Sequence, residues 1–425
     1  MSLSKFAARK WLVLCGVLGG AVALGGACGA PEAEVEPREQ ATSALATCNR
    51  VQGATTICGV VTNASGVAIA GAEVNLQGLR TLTASDGSFS VSSTTLIPGG
   101  PLTISAVGYM PHVGAITRDV LGARFTLQTL HRQTFSGGNV LVTDPRSGAA
   151  IRVDLEQMDS TTGRPVVRPL TVGLRFIDTG LLAMPGSDGA TNLSGQPVFL
   201  ETRGAIYTEV RDAQGALLRL RSGTNAQVFI PISGSMTGSS PSSIALWSMP
   251  VGSNQWRQQP ATAAKTSNPV RCDVRQTSVS CAADQCDQVS QARYTGNTNE
   301  IGFINADIEK VNPACLRIDL NAAALPPGTQ LPICLDLEIS IPGGGSQTRN
   351  VCVGDGTDIM YNLPPNANIT VRQASGYGCP PPPGTSVIVN TGAPWGGTGV
   401  PTSPTQCNGV LTLPRCREPG PWAAR

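Results

Sequence analysis

The same pattern of turns and strands occurs in two distant stretches of this chain. The first copy runs from Asp86 to Tyr109 and the second from Asp355 to Tyr377. Each copy starts with an Asp-Gly turn, continues through a strand, a proline corner and another strand, and ends at a Gly-Tyr corner. Short apolar runs between such turns are typical of small antiparallel sandwiches. The repeat therefore predicts an all-β chain of two or three antiparallel β-sandwich modules in tandem.

The composition supports this fold class and limits the function. Gly 49 and Pro 32 are high counts for a helical protein, because both residues interrupt helices. A hydrophobic fraction of 41% is enough for packed cores. The formal net charge is only +2, and no run of lysine and arginine supplies the basic face that nucleic acid requires. We expect no nucleic-acid partner.

The N-terminus has the features of an export signal. Lys5, Arg9 and Lys10 precede a short apolar run, and small residues lead from that run into Cys28. The run is too short for a comfortable membrane span, and its flanks are those of a secretory signal. Residues 1–27 are therefore predicted to be a signal peptide.

The small residues before Cys28 resemble the lipobox of bacterial lipoproteins, in which the cysteine receives lipid and becomes the first mature residue. The resemblance implies lipid attachment at Cys28, a membrane as partner, and an anchored position at the outer membrane or cell surface. The usual motif is not fully matched, because Leu24 lies one position early and Gly25 stands where leucine is typical. Ordinary cleavage after Ala30 is the alternative, and it would yield a secreted or periplasmic protein without Cys28.

The rest of the chain divides by composition. Residues 28–47 combine prolines and glutamates without apolar periodicity, which predicts a flexible spacer. The strand-rich remainder is predicted to form a β-sandwich at 48–130, a β-rich middle domain at 131–265, and a cysteine-rich β domain with a degenerate second sandwich copy at 266–425.

Residues 48–130 resemble the carboxypeptidase regulatory-like domain. The resemblance is carried by Gly66, Thr83 and residues 59–61, 69–74, 86–89 and 108–109. It implies a transthyretin-like or immunoglobulin-like sandwich of about seven strands, an accessory module of exported proteins that is not catalytic. Glycines at turns and apolar side chains between sheets account for these residues, so we assign them no chemistry.

The middle region resembles the module that follows such a domain in some bacterial lipoproteins and in cartilage intermediate layer protein. In those proteins a strand centred on one tryptophan precedes a second tryptophan, and Trp247 and Trp256 hold these positions here. Residues 303–307 resemble an aromatic-x-Asn-x-Asp motif of the same lipoproteins. We expect both tryptophans to pack in a core, whereas Trp395 lies in a Gly/Pro loop and is the better candidate for stacking on a sugar.

The cysteines agree with export. Of the 13, Cys15 lies in the signal and Cys28 takes lipid on the lipoprotein interpretation, which leaves an odd number for disulfides. Cys48 and Cys58 flank the first strand and are the predicted pair, while the pairing of the C-terminal cysteines stays open. No Cys-x-x-Cys pair occurs, so structural disulfides are favoured over a zinc or redox site.

Few residues could support catalysis. The chain has two histidines, His112 and His131, and we expect both at surface or turn positions. No zinc-peptidase, nucleophile-elbow, Walker or dinucleotide motif occurs. Asp307 and Glu309 have same-face spacing on a strand, and we interpret them as a solvent-facing strand edge. We expect no enzymatic activity, no metal and no cofactor.

These features together predict a non-enzymatic cell-envelope lipoprotein that acts in binding or scaffolding, with envelope proteins or glycans as candidate partners. The alternative is a secreted carbohydrate-binding or adhesion protein, which clustered exposed aromatic residues on one sheet face would favour. A divergent hydrolase is the third alternative, and it would need paired buried carboxylates in a deep pocket.

Overall fold

Strands and the turns between them make up the regular structure of this chain. The computed structural model describes residues 48, 51–95, 100–116, 119–179, 182, 184–186, 190–232, 240–250, 253–268, 291–310, 314–320, 333–340, 346–353, 356–375, 388–394 and 403–412. The predicted signal peptide, the spacer, Cys28 and Trp395 lie outside these residues. No helix in the described part is long and apolar enough to cross a membrane. The prediction of an all-β chain with antiparallel sandwich modules is confirmed.

The N-terminal sandwich consists of two four-stranded sheets. Its strands are β1 (Thr55–Asn63), β2 (Glu73–Leu76), β3 (Leu79–Leu82), β4 (Ser88–Ser93), β5 (Gly100–Ser105), β6 (Tyr109–Met110), β7 (His112–Ile116) and β8 (Val120–Thr129). One sheet has the order β4-β1-β8-β6 and the other the order β3-β2-β5-β7. Ile57, Val74, Leu102 and Ile104 are fully buried between them, because apolar side chains that alternate along each strand share one face.

The residues that carry the sequence resemblance shape the turns of this sandwich. Gly87 has a φ of +77°, and a Cβ there would stand 2.5 Å from the Val61 carbonyl oxygen. The buried Thr83 hydroxyl donates to the Ile69 carbonyl at 2.6 Å and accepts from the Ala72 N–H at 2.8 Å. Turn geometry and backbone hydrogen bonds therefore account for these residues without a ligand.

The middle region forms one large, strongly curved sheet. Its strands are β9 (His131–Phe135), β10 (Asn139–Thr143), β11 (Ala150–Asp154), β12 (Met158–Ser160), β13 (Leu170–Ile177), β14 (Ala190–Thr191), β15 (Pro197–Arg211), β16 (Leu218–Leu220), β17 (Ala226–Pro231), β18 (Ser243–Met249), β19 (Trp256–Asn268), β20 (Gln291–Thr298) and β21 (Phe303–Lys310). The sheet order is β10-β11-β17-β20-β19-β18-β21-β15-β13-β9, and β14 pairs with β15 and β19. β12 and β16 form a separate ribbon. β20 pairs with β17 and β19, and β21 pairs with β15 and β18, so this sheet extends beyond the domain boundary predicted at residue 265.

The middle sheet curls around its own core. Val142 on β10 and Val172 on β13, near opposite ends of the strand order, belong to one buried cluster. A side chain at Gly204 on β15 would collide with the Pro231 carbonyl of β17, so glycine lets these two strands approach across the interior. We call the face directed at this core the inner face and the opposite one the outer face.

Two smaller sheets form the C-terminal sandwich. Its strands are β22 (Ala314–Leu320), β23 (Ile333–Ser340), β24 (Ser346–Val353), β25 (Gly356–Leu363), β26 (Asn368–Ser375), β27 (Ile388–Asn390) and β28 (Gly409–Thr412). The sheet orders are β25-β22-β28 and β24-β23-β26-β27. β22 runs antiparallel to β25 and parallel to β28, just as β1 runs antiparallel to β4 and parallel to β8. The two sandwiches therefore share one topology, apart from β6, whose sequence counterpart lies outside the described residues.

Disulfides attach to the central strand of one sheet in each sandwich. Cys48 pairs with Cys58 of β1, as the sequence predicts. Cys315 of β22 pairs with Cys407, which precedes β28. The first link closes a short loop and the second a long one, with sequence separations of 10 and 92.

The two disulfides should contribute unequally to stability. Loop closure removes more entropy from the unfolded chain when the loop is longer, so we expect the double variant Cys315→Ala/Cys407→Ala to lose about 4–5 kcal/mol and Cys48→Ala/Cys58→Ala about 3 kcal/mol. Urea unfolding of both variants against the parent chain measures the difference. An equal or smaller loss for the Cys315–Cys407 pair would contradict this ranking.

Candidate functional site

The outer face of the middle sheet is where the three modules meet. Side chains alternate between the two faces of a sheet, so on β21 Ile304 and Ala306 face the inner core while Phe303, Asn305 and Asp307 point outward. The register places these outward residues between partners on β15 and β18. The aromatic-x-Asn-x-Asp motif thus forms the central column of this junction.

Phe303 belongs to an aromatic cluster between the middle sheet and the N-terminal sandwich. The ring centroids of Tyr207 and Trp256 lie 4.7 Å and 6.4 Å from that of Phe303. Trp247 is completely buried in the same cluster, which also includes Val113 of β7. The predicted core packing of Trp247 and Trp256 is confirmed, so neither ring is exposed for a sugar.

The described residues that follow β13 (178, 179, 182 and 184–186), which we call the junction loop, bond to both sandwiches. The Thr179 carbonyl accepts a hydrogen bond from the Thr348 N–H of β24 at 2.9 Å. The Gly186 N–H donates to the Val113 carbonyl of β7 at 2.8 Å. One loop of the middle region therefore holds the N-terminal and C-terminal sandwiches through backbone groups.

A buried polar cluster lies beside the aromatic one. Asp307 and Asn305 are 1% and 0% exposed, and the Asn305 amide donates to the Thr202 hydroxyl at 3.1 Å. Within the described ranges, no hydrogen bond of good geometry reaches either carboxylate oxygen of Asp307 or the Asn305 carbonyl oxygen. Burial raises the pKa of Asp307 well above its ordinary value, and Thr202 and the positive charges of Arg203 and Arg349 only partly oppose this. Arg349 lies on β24, so the cluster extends to the C-terminal sandwich.

The interpretation of Asp307 and Glu309 as a solvent-facing strand edge is wrong for Asp307. β21 lies between β18 and β15 in the sheet, and its outer face is covered at this position. Glu309 is half-buried, and its carboxylate accepts a hydrogen bond from the Asn192 side chain at 2.7 Å.

Two other buried carboxylates of the middle sheet pair with arginines of their own strand. Glu201 and Arg203 form a buried ion pair on β15, and Glu209 binds Arg211 at 2.9 Å. The register between β15 and β21 directs Glu201 and Asp307 to opposite faces of the sheet. They do not converge on one point as the two carboxylates of a glycosidase do.

The two histidines lie in strands. His112, in β7, is half-buried against the Phe125 ring at 5.1 Å between centroids, and burial lowers its pKa to about 4. It is therefore not the surface or turn residue that the sequence predicts. His131, in β9, shares a hydrogen bond with the Gln133 side chain at 3.0 Å. The described residues contain no group of three or more His, Cys, Asp or Glu side chains that could hold a metal ion.

Comparison with known proteins gives little beyond this geometry. No family model matches the chain, and no curated protein matches it. Among solved structures, the major pilin subunit BcpA of Bacillus cereus is 9% identical, with 85% of this chain and 98% of that chain covered and a TM-score of 0.15. The full-length major pilin SpaD of Corynebacterium diphtheriae is also 9% identical, with coverages of 79% and 90% and a TM-score of 0.14. Both TM-scores are far below that of a shared fold, so these likenesses carry no information about function.

Asp307→Asn should stabilise the chain increasingly as the pH rises. In the folded chain the pKa of Asp307 lies above its ordinary value of 3.8, so the free energy of unfolding falls as the pH rises above 3.8. Asparagine does not ionise, so the variant does not lose this free energy. We expect a gain of about 1–3 kcal/mol at pH 8 and almost none at pH 4, measured by urea unfolding. Asp319→Asn is the control. Arg317 lowers the pKa of the Asp319 carboxyl, so removal of this charge should not stabilise the chain. Destabilisation by Asp307→Asn at pH 8 would contradict this account.

A side chain at Gly186 should loosen the junction. Gly186 has a φ of +94°, and a Cβ there would stand 2.6 Å from the Met249 sulfur and 2.8 Å from the Asn254 carbonyl oxygen. We expect Gly186→Ala to cost about 3 kcal/mol, from backbone strain and steric overlap together. Gly195, with a φ of +77° and no atom within 4 Å of a Cβ, is the matched control, and its alanine variant should cost about 1 kcal/mol. Equal losses in urea unfolding would show that the loop does not pack tightly.

Proposed function

We propose that this chain is a non-enzymatic lipoprotein of the cell envelope whose β modules act as a rigid binding or scaffolding unit. The junction on the outer face of the middle sheet is the observation that carries the proposal. There the junction loop bonds to both sandwiches, and aromatic and charged side chains are buried. Modules that hinge freely meet through small and polar contacts, whereas buried aromatic and charged groups favour a fixed arrangement.

The anchoring part of the proposal is supported by the sequence and the disulfides. The lipobox-like residues before Cys28 supply an attachment point, and the spacer at 28–47 would hold the modules clear of a bilayer. The pairs Cys48–Cys58 and Cys315–Cys407 fit an oxidising compartment. These features favour the outer membrane or the cell surface as the location.

The buried carboxylates give no support to the hydrolase alternative. Asp307 and Glu201 lie on opposite faces of the sheet, and arginines accompany both of them. A pair that acts on one glycosidic bond has to flank it from a common cleft. We therefore assign both carboxylates a structural role.

The mass of the mature protein from its native host tests the anchor. We expect a chain that starts at Cys28 and carries the added mass of lipid, recovered with the membrane fraction. The Cys28→Ala variant should lose the lipid mass and leave that fraction, because a lipoprotein anchor forms only on the cysteine. An unlipidated parent chain that starts after Ala30 would contradict the anchor and favour the secreted binding protein.

A further inference from the structure

The outer face of the middle sheet is covered over only part of its width. On β18, β21 and β15 it carries the aromatic and polar clusters of the junction, but on β10, β11, β17 and β20 it includes exposed and half-buried polar side chains. Leu141, Arg152, Gln227 and Asn297 face one another across these four strands in a single row. We call this row, together with Phe229 and Arg293, the open face.

Two arginines of the open face contact one aromatic ring. The Arg293 guanidinium carbon lies 4.6 Å from the Phe229 ring centroid, and the Arg152 guanidinium carbon lies 6.0 Å from it. Arg293 approaches from β20 and Arg152 from β11, the strands on either side of β17. Arg152 also donates to the Gln227 side-chain oxygen at 3.1 Å. Contacts of this kind hold guanidinium groups in place, so that less entropy is lost when they bind an anion.

Among the described residues, neither arginine has an acidic partner. No ion pair joins Arg152 or Arg293 to any residue of the described ranges, and the buried Nε of Arg293 has no hydrogen-bond partner. Burial lowers the pKa of Arg293. Asp154, at the end of β11, accepts a hydrogen bond from the Glu156 N–H. A partly desolvated cation without a counter-ion favours an anionic ligand.

We propose that the open face binds an acidic polysaccharide, with Arg152 and Arg293 contacting its carboxylate groups and Gln227 and Asn297 its hydroxyl groups. The face is a run of adjacent strands, so it offers a long polymer several equivalent contacts rather than a pocket for single side chains. Amide side chains in one row suit the many hydroxyl groups of a sugar chain better than the backbone of an acidic peptide. The proposal extends the binding role proposed above, and the lipid measurement at Cys28 is independent of it.

Titration of the full chain with a soluble polyuronate tests the proposal. We expect saturable binding that weakens with salt, and no binding of neutral dextran. Arg152→Gln and Arg293→Gln should each weaken the apparent affinity about tenfold, which corresponds to one charge-assisted contact. Arg293→Lys should lose part of this affinity, because a lysine keeps the charge but not the planar fork.

The controls separate this face from general charge attraction. Arg219→Gln removes an exposed arginine on β16, away from the open face, and should leave the affinity unchanged. Arg152 is exposed, so its variant keeps the test interpretable if Arg293→Gln unfolds. Absent binding, or equal weakening by Arg219→Gln, would overturn the proposal. Binding of polyglutamate as tight as that of the polyuronate would overturn it in favour of an acidic peptide.

Discussion

A sheet with apolar side chains on both faces has to be covered on both sides, and this requirement organises the whole molecule. The central strands of the middle sheet carry Ile206 and Leu246 inward and Tyr207 and Trp247 outward. Curling of the sheet covers the inner side chains, and contact with the N-terminal sandwich and the junction loop covers the outer ones. The N-terminal sandwich therefore shares a buried cluster with the middle sheet, whereas the C-terminal sandwich keeps its own core and meets the middle region through the junction loop and Arg349.

The polar cluster adds specificity at a cost in stability. A buried carboxylate costs free energy, and an apolar residue at the position of Asp307 would cost less. Buried polar groups tolerate fewer packing arrangements than apolar ones, however, because a displaced polar group leaves its partner without a hydrogen bond or counter-ion. The aromatic cluster buries apolar area between the middle sheet and the N-terminal sandwich. At the C-terminal sandwich, the positive charge of Arg349 acts on Asp307 instead.

Sequence patterns predict the local structure of this chain better than its assembly. Turn chemistry at Asp86 and Gly87, the flanking positions of Cys48 and Cys58, and the apolar strand around Trp247 each follow from a few neighbouring residues. The all-β class follows from the same signals. The curled sheet does not, because strand order depends on pairings between segments far apart in the chain, and turn signals do not specify those.

The sequence does not predict the polar cluster, and the reason is related. Alternation along β21 shows that Asn305 and Asp307 share a face, but not that another module covers this face. Polar side chains at such spacing are ordinarily solvent-facing, so the pattern itself indicates an exposed strand. Arg349 lies in a different module, and no sequence signal links it to Asp307. The aromatic-x-Asn-x-Asp motif is the one feature of the sequence that points to this position.

Differential scanning calorimetry of the full chain tests the central claim, that the middle sheet and both sandwiches form one cooperative unit. We expect a single unfolding transition whose calorimetric enthalpy equals its van 't Hoff enthalpy, because unfolding of the N-terminal sandwich exposes the aromatic cluster and unfolding of the C-terminal sandwich removes Arg349 from the polar one. Two or more separate transitions, with one sandwich unfolding while the middle sheet stays folded, would contradict it.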